Sequence, residues 1–238
     1  MFGVPRSIII LSKINSFYNR DKNRKKYKVI ITPPYTLIES YSKYFKNKLI
    51  SIGSQNCFYK DGFSSDTAAI SPHMLKSVGT KFTIIGHSDN RKEGETNKIL
   101  REKVKYALQN NLKVVFCIGE NKQEKKNKKT FKILKKQLSN SIDKKFNKTN
   151  IIVAYEPIWS IGTGEIPSSK ELKKTIIYIK KVLAKLFKKK VPPVLYGGSV
   201  DGNSVKTFKE IEEIDGFLIG GASKSSKKFI DIIKNYYR

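Results

Sequence analysis

The stretch Ala154–Glu165, AYEPIWSIGTGE, sets one carboxylate after an apolar run, then the only Trp of the chain, then two closely spaced glycines. The residue before a proline is driven toward extended geometry, so Glu156 stands at the end of a strand or the start of its loop. Gly162 and Gly164 open the following loop to backbone angles closed to other residues. A carboxylate at a strand end beside a mobile loop fits a general base under a lid; a surface Glu near a turn is the competing reading.

Three further features could join it. His87 follows Ile85-Gly86 at a strand end, where an imidazole can hydrogen-bond a substrate oxygen or be satisfied structurally by backbone. The segments YGGSV (196–200) and LIGGAS (218–223) each place two glycines between a strand and a helix. Their unhindered N–H groups can face an anion at a helix N-terminus, or the glycines simply make turns. Gly162 can add a further N–H donor when its loop closes. The other histidine, His73 in SPHML, reads as a surface residue at a helix start.

These residues need a scaffold that brings distant loops together. Seven short, β-branched, nearly continuously apolar segments read as parallel strands covered on both faces: Lys28–Thr32, Leu49–Gly53, Phe82–Ile85, Lys113–Ile118, Asn150–Tyr155, Pro193–Tyr196 and Gly216–Ile219. Eight segments of helical period alternate with them: Arg6–Asn19, Tyr35–Lys46, Pro72–Val78, Glu95–Gln109, Gln123–Lys144, Ser168–Lys189, Asn203–Glu212 and Ser225–Tyr236. A closed eight-stranded parallel β/α barrel hosts eight such units in about 250 residues, and its chemistry lies in the loops after the strand C-termini. Glu156, His87 and both glycine pairs fall in such loops. The tally is one strand short at the front. No Pro/Gly/Ser-rich break or internal repeat divides residues 1–238, so one domain is expected.

The net charge of +28 points to an anionic partner, with nucleic acid, a membrane surface and anionic small molecules all in view. Lys, Ile and Asn share adenine- and thymine-rich codons, so base composition inflates them together. The long basic stretches, such as KKTFKILKKQL and YIKKVLAKLFKKK, interleave Lys with apolar residues at helical spacing. They read as solvated outer faces of amphipathic helices rather than as a nucleic-acid surface. Cys57 and Cys117 lie far apart in no metal-like spacing and read as buried thiols of a reducing cytoplasm. No apolar run approaches a membrane span.

In this order and spacing AYEPIWSIGTGE, IIGHSDNRK, CIGE, YGGSV and DGFLIGGAS resemble the triosephosphate isomerases, and the likeness runs from ITPPYTL through SQNC to the last glycine pair. The resemblance implies a (β/α)8 TIM barrel that interconverts dihydroxyacetone phosphate and D-glyceraldehyde 3-phosphate. It implies that Glu156 moves the carbon-bound proton, that His87 polarises the carbonyl as a neutral imidazole, and that Pro157–Glu165 closes over the enediolate, which otherwise can eliminate its phosphate. N–H groups of Gly162, Ser199, Gly220 and Gly221 would hold the phosphate. Tyr196 and Ser199 would latch the lid, with Trp159 in the lid and Asp89 beside the histidine. A cytoplasmic homodimer without metal or organic cofactor is implied. A non-catalytic basic barrel that binds nucleic acid or another polyanion is the alternative, disfavoured because such a module needs none of these residues together.

The sequence also departs from that pattern. The family opens with a strand ending in a motif like Asn-Trp-Lys-Met, and Met1 resembles its methionine, so the first strand with its Asn and Lys is expected just before the given start. Without it, open strand edges and loss of a site lysine should leave the chain poorly folded or nearly inactive. Asp89 and Asn90 stand where the family has Glu and Arg, while Arg91 matches. The lid ends Gly164-Glu165-Ile166-Pro167 in place of Gly-Lys, and Thr67-Ala68-Ala69 replaces the Thr-Gly-Glu of the interface loop. Glu95 still matches a family acidic residue.

Overall fold

The computed structural model describes residues 3–188 and 191–237. Met1, matched above to a motif methionine, and Lys189, the expected end of a helix, lie outside the described residues. All seven expected strands are present: β1 (Ile30–Ile31), β2 (Ser51–Ser54), β3 (Phe82–Ile85), β4 (Lys113–Ile118), β5 (Ile151–Tyr155), β6 (Val194–Tyr196) and β7 (Gly216–Phe217). They form one sheet in the order of the chain, and every neighbouring pair is parallel. Among the described residues β1 and β7 each have one strand neighbour, and both are shorter than the sequence suggested. Between them lies a cavity of about 580 Å³ bordered by Ile30, Ile31, Phe217 and Leu218.

Alternation along β4 explains how one apolar run serves two layers. Val114, Phe116 and Ile118 pack outward in the main core with the helices, whereas Val115 and Cys117 point inward to meet Ile84 and Ala154. The helices are α1 (Ile8–Arg20), α2 (Tyr35–Tyr44), α3 (Pro72–Ser77), α4 (Ser88–Lys92), α5 (Asn97–Gln109), α6 (Lys122–Lys126), α7 (Thr130–Ser141), α8 (Ser169–Phe187), α9 (Ser204–Thr207) and α10 (Ser226–Tyr237). In α8 the Ser168 hydroxyl caps the N-terminus by accepting from Glu171 N at 3.2 Å. Leu172, Ile176, Ile179 and Leu183 then recur at helical spacing and are fully buried.

Two local expectations need correction. The segment Gln123–Lys144 is two helices, because Lys128 adopts φ 55° and its neighbour Lys129 returns its N–H to Glu124 O at 2.9 Å, a left-handed C-terminal stop. The segment after β3, read as a loop, contains α4. Its cap is His87, a residue type that rarely signals a helix start. The basic stretches behave as solvated faces: Leu134 and Leu138 of α7 are buried while Lys132, Lys135 and Lys136 are exposed. Among the described residues no helix is long and apolar enough to cross a membrane.

Candidate active site

The parallel order carries the ends of β3, β4, β5, β6 and β7 to the same edge of the sheet, and the sequence candidates gather there. Glu156 follows β5 directly and is only 3 % exposed. Glycines on two flanking strands make its place. A Cβ on Gly119, just after β4, would collide with the carbonyl of Glu156, and one on Gly197, just after β6, would lie 2.8 Å from Glu156 Cγ. Burial pushes the Glu156 carboxyl above its ordinary range, and nearby His87, Cys117 and Arg91 offset part of the rise. Its Oε2 is buried without a hydrogen-bond partner among the described residues. A buried carboxylate oxygen left unpaired by the protein is available to a substrate proton.

His87 meets it from β3, with Nε2 3.4 Å from Glu156 Oε1. The opposite ring nitrogen, Nδ1, accepts the backbone N–H of Asp89 at 3.2 Å. An accepting Nδ1 leaves the ring proton on Nε2, the nitrogen that faces the carboxylate, as a donor toward a substrate oxygen. Asp89 thus acts through its backbone, since its side chain is 87 % exposed and approaches the imidazole only to 3.5 Å. Arg91 braces both strand ends. Its Nε donates to Gly86 O at 2.8 Å, Nη2 to Cys117 O at 2.9 Å and Nη1 to Asn97 Oδ1 at 2.9 Å.

The segment Pro157–Glu165, expected to act as a lid, is anchored at its start by Glu120, 1 % exposed just after β4. Glu120 Oε1 accepts from Trp159 Nε1 at 3.0 Å and from Tyr155 OH at 3.1 Å. Burial raises the Glu120 carboxyl, and those two donors restrain the rise. Lys125 of α6 lies over the Trp159 ring and pairs with Glu171 at 3.0 Å. At the far end Gly164 N donates to Ser199 Oγ at 3.1 Å, and Ser199 Oγ donates to Ser160 O at 2.6 Å. Gly162 and Gly164 take φ of 69° and 80°, so the lid's path needs residues without a side chain.

The glycine pairs divide by role. Beyond Gly197, a Cβ on Gly198 would lie 2.6 Å from Ser160 Oγ, so that pair permits close packing. Gly220 and Gly221 face open space at the start of a 3₁₀ turn over Gly221–Lys224, as an anion-binding backbone requires. The Ser199 N–H, expected to face phosphate, here donates to Ser160 Oγ at 3.3 Å. Tyr196, fully buried, reaches Ser160 Oγ at 3.1 Å. Sequence reasoning missed Glu120 and Ser160. The first was visible only as the GE of a strand-end loop, and the second had no signal apart from its place beside Trp159.

With this geometry in place, the comparisons with known proteins decide the family. The triosephosphate isomerase family model matches residues 8–236. The chain belongs to the triosephosphate isomerase family. A triosephosphate isomerase of Yarrowia lipolytica is 38 % identical over 237 residues, covering 98 % of this chain and 95 % of its own. One from Thermodesulfovibrio yellowstonii is 37 % identical over 207 residues, covering 86 % and 84 %. The crystal structure of triosephosphate isomerase from Bartonella henselae superposes with a TM-score of 0.91 at 30 % identity, covering all of this chain and 96 % of that one. The parallel sheet with alternating helices therefore has the TIM-barrel fold of this family.

Proposed function

We propose that this protein is an aldose-ketose isomerase that interconverts dihydroxyacetone phosphate and D-glyceraldehyde 3-phosphate, the triose-phosphate step of glycolysis and gluconeogenesis, in the cytoplasm. Membership of the family supports the reaction, and one observation supports its residues: the buried, unpaired Oε2 of Glu156, beside the Nε2 of His87. Glu156 takes a proton from C1 of the ketone. The C–H electron pair becomes the C1–C2 double bond, and the carbonyl oxygen takes the charge, held by the His87 Nε2–H. A proton then passes from O1 to O2, and Glu156 returns its proton to C2 to leave the aldehyde. The N–H groups of Gly220 and Gly221, with that of Gly162 from the closing lid, hold the phosphate while Pro157–Glu165 excludes water.

A homodimer is part of this reading. The segment between β2 and α3 exposes Phe63 at 85 % and Tyr59 at 37 %, an apolar tip suited to a second copy. Sedimentation of the chain against Phe63→Lys tests it, a shift to monomer being the expected result.

The decisive experiment is a coupled assay of glyceraldehyde 3-phosphate isomerisation with Glu156→Gln as background. Turnover measurably above that background is expected. None above it, together with salt-sensitive binding to unrelated DNA, would replace this reading with the polyanion-binding one.

A further inference from the structure

The Ser160 hydroxyl joins more of the lid than any residue assigned so far. Its side chain is wholly buried. Ser160 Oγ lies 2.5 Å from Glu165 O, 3.1 Å from Tyr196 OH and 3.3 Å from Ser199 N. A hydroxyl has one proton to give and two lone pairs to fill. The Glu165 carbonyl can only accept, so it takes the proton of Ser160. The Ser199 N–H can only donate, and Tyr196 is left to donate its phenolic proton to the remaining lone pair. Every hydrogen-bonding capacity of Ser160 is thereby used.

Those partners come from separate parts of the site. Ser160 sits at the start of the lid, Glu165 at its end, Tyr196 on β6 and Ser199 in the loop after it. The backbone of Ser160 adds a fourth tie by accepting from Ser199 Oγ at 2.6 Å. Two residues past Glu165 the buried Pro167 has no N–H, so that position offers no main-chain donor to the buried phenol. The competing tether, Lys122 to Glu165 at 3.5 Å, joins side chains that are 80 % and 54 % exposed, and such pairs contribute little.

We infer that Ser160 is the positioning residue that holds the lid shut, tying both of its ends to Tyr196 and Ser199 through one buried hydroxyl. The inference rests on the isomerase reading above for its effect on turnover. It acts on the chemistry only by keeping Pro157–Glu165 over the reacting carbons.

The test compares Ser160→Ala, Tyr196→Phe and the double variant with the unaltered chain. Turnover is measured in the coupled assay, and amide exchange is followed at Ile161–Gly164 with inorganic phosphate as the probe. Ser160→Ala should lower kcat about tenfold with KM changed less than about threefold, because lost hydrogen bonds of this kind are each worth a few-fold. Exchange at Ile161–Gly164 should speed up by a similar factor in the presence of phosphate while Val153–Tyr155 keep their protection. The double variant should fall well short of the product of the two single effects, since Tyr196 acts through Ser160.

Lid exchange and kcat at the unaltered level in Ser160→Ala, or single effects that simply multiply, would overturn the inference. If Ser160→Ala also loses protection in β5, Tyr196→Phe decides: faster exchange confined to the lid supports the latch, and unchanged exchange rejects it. If the unaltered chain shows no turnover, the isomerase reading fails while the exchange comparison still settles the role of Ser160.

Discussion

His87 Nε2 stands 3.4 Å from Glu156 Oε1, although one residue follows β3 and the other follows β5. The group that would take a proton and the group that would hold the oxygen therefore stand side by side, within reach of adjacent carbons of a single substrate. Retracting the carboxylate by one methylene in Glu156→Asp should lower kcat by about 10²-fold or more with little change in KM. His87→Gln should cost about 10²- to 10³-fold through weaker charge stabilisation. Steady-state kinetics of both variants check this, and a pure KM effect in either would contradict the assigned roles.

The burial that readies Glu156 also sets a pH dependence. Its carboxyl is raised above 4.5 chiefly by desolvation, and in the proposed role of general base it must be ionised to act. kcat/KM should fall about tenfold per pH unit as pH drops through that raised value. For stability the sign is opposite. A carboxyl raised on folding contributes stability that is fully present below its unfolded value and is lost as pH rises through its folded one. Ionised Glu156 thus costs stability near neutral pH. Glu156→Gln should abolish turnover yet raise Tm at neutral pH, and the gain should shrink on acidification toward 4.5. Thermal melts at several pH values measure it; a gain that grew on acidification would contradict desolvation as the dominant cause.

Much of the fold could be read from the chain because a strand buried on both faces leaves a plain trace. KVVFCI keeps its reading as β4 from Lys113 to Ile118, since each of its side chains from Val114 on has an apolar neighbour on one side or the other. The place of Glu156 at the end of β5 was legible from Glu156-Pro157, because a proline drives the residue before it toward extended geometry. What stayed hidden depends on partners distant in sequence. Ser160 gains its meaning from Tyr196 and Ser199, and Glu120 from Trp159. The stop at Lys128 hid inside a continuous Lys-rich helical pattern that carries no glycine to mark it.

The glycines flanking Glu156 predict two different outcomes. A Cβ at Gly119 meets the rigid backbone carbonyl of Glu156, which cannot move without breaking the Glu156 N–H bond to Ile118 O at 2.7 Å. Gly119→Ala should destabilise by about 3 kcal/mol or more, seen as a lowered urea midpoint. A Cβ at Gly197 meets the Glu156 side chain at 2.8 Å, which can swing aside. Gly197→Ala should therefore cost little stability, about 1 kcal/mol, and a large share of kcat. Equal stability losses in the two variants would mean that the side chain at 156 is as fixed as its backbone.

Ala68 is held at φ 65°, a left-handed conformation that an L side chain pays for and glycine does not. It lies in the segment 67–69, where the resembled family carries a glycine and this chain does not. Asn111 at φ 55° is the contrasting case, because a short polar side chain tolerates that region. Relieving the strain in Ala68→Gly is worth about 1–2 kcal/mol, and the added freedom of glycine in the unfolded chain takes back about 0.4–1 kcal/mol. The net expectation is a gain of up to about 1.6 kcal/mol, read as a higher urea midpoint at an unchanged slope. A loss on substitution would show that the methyl of Ala68 makes a contact, in the folded chain or in the proposed dimer, that outweighs its backbone strain.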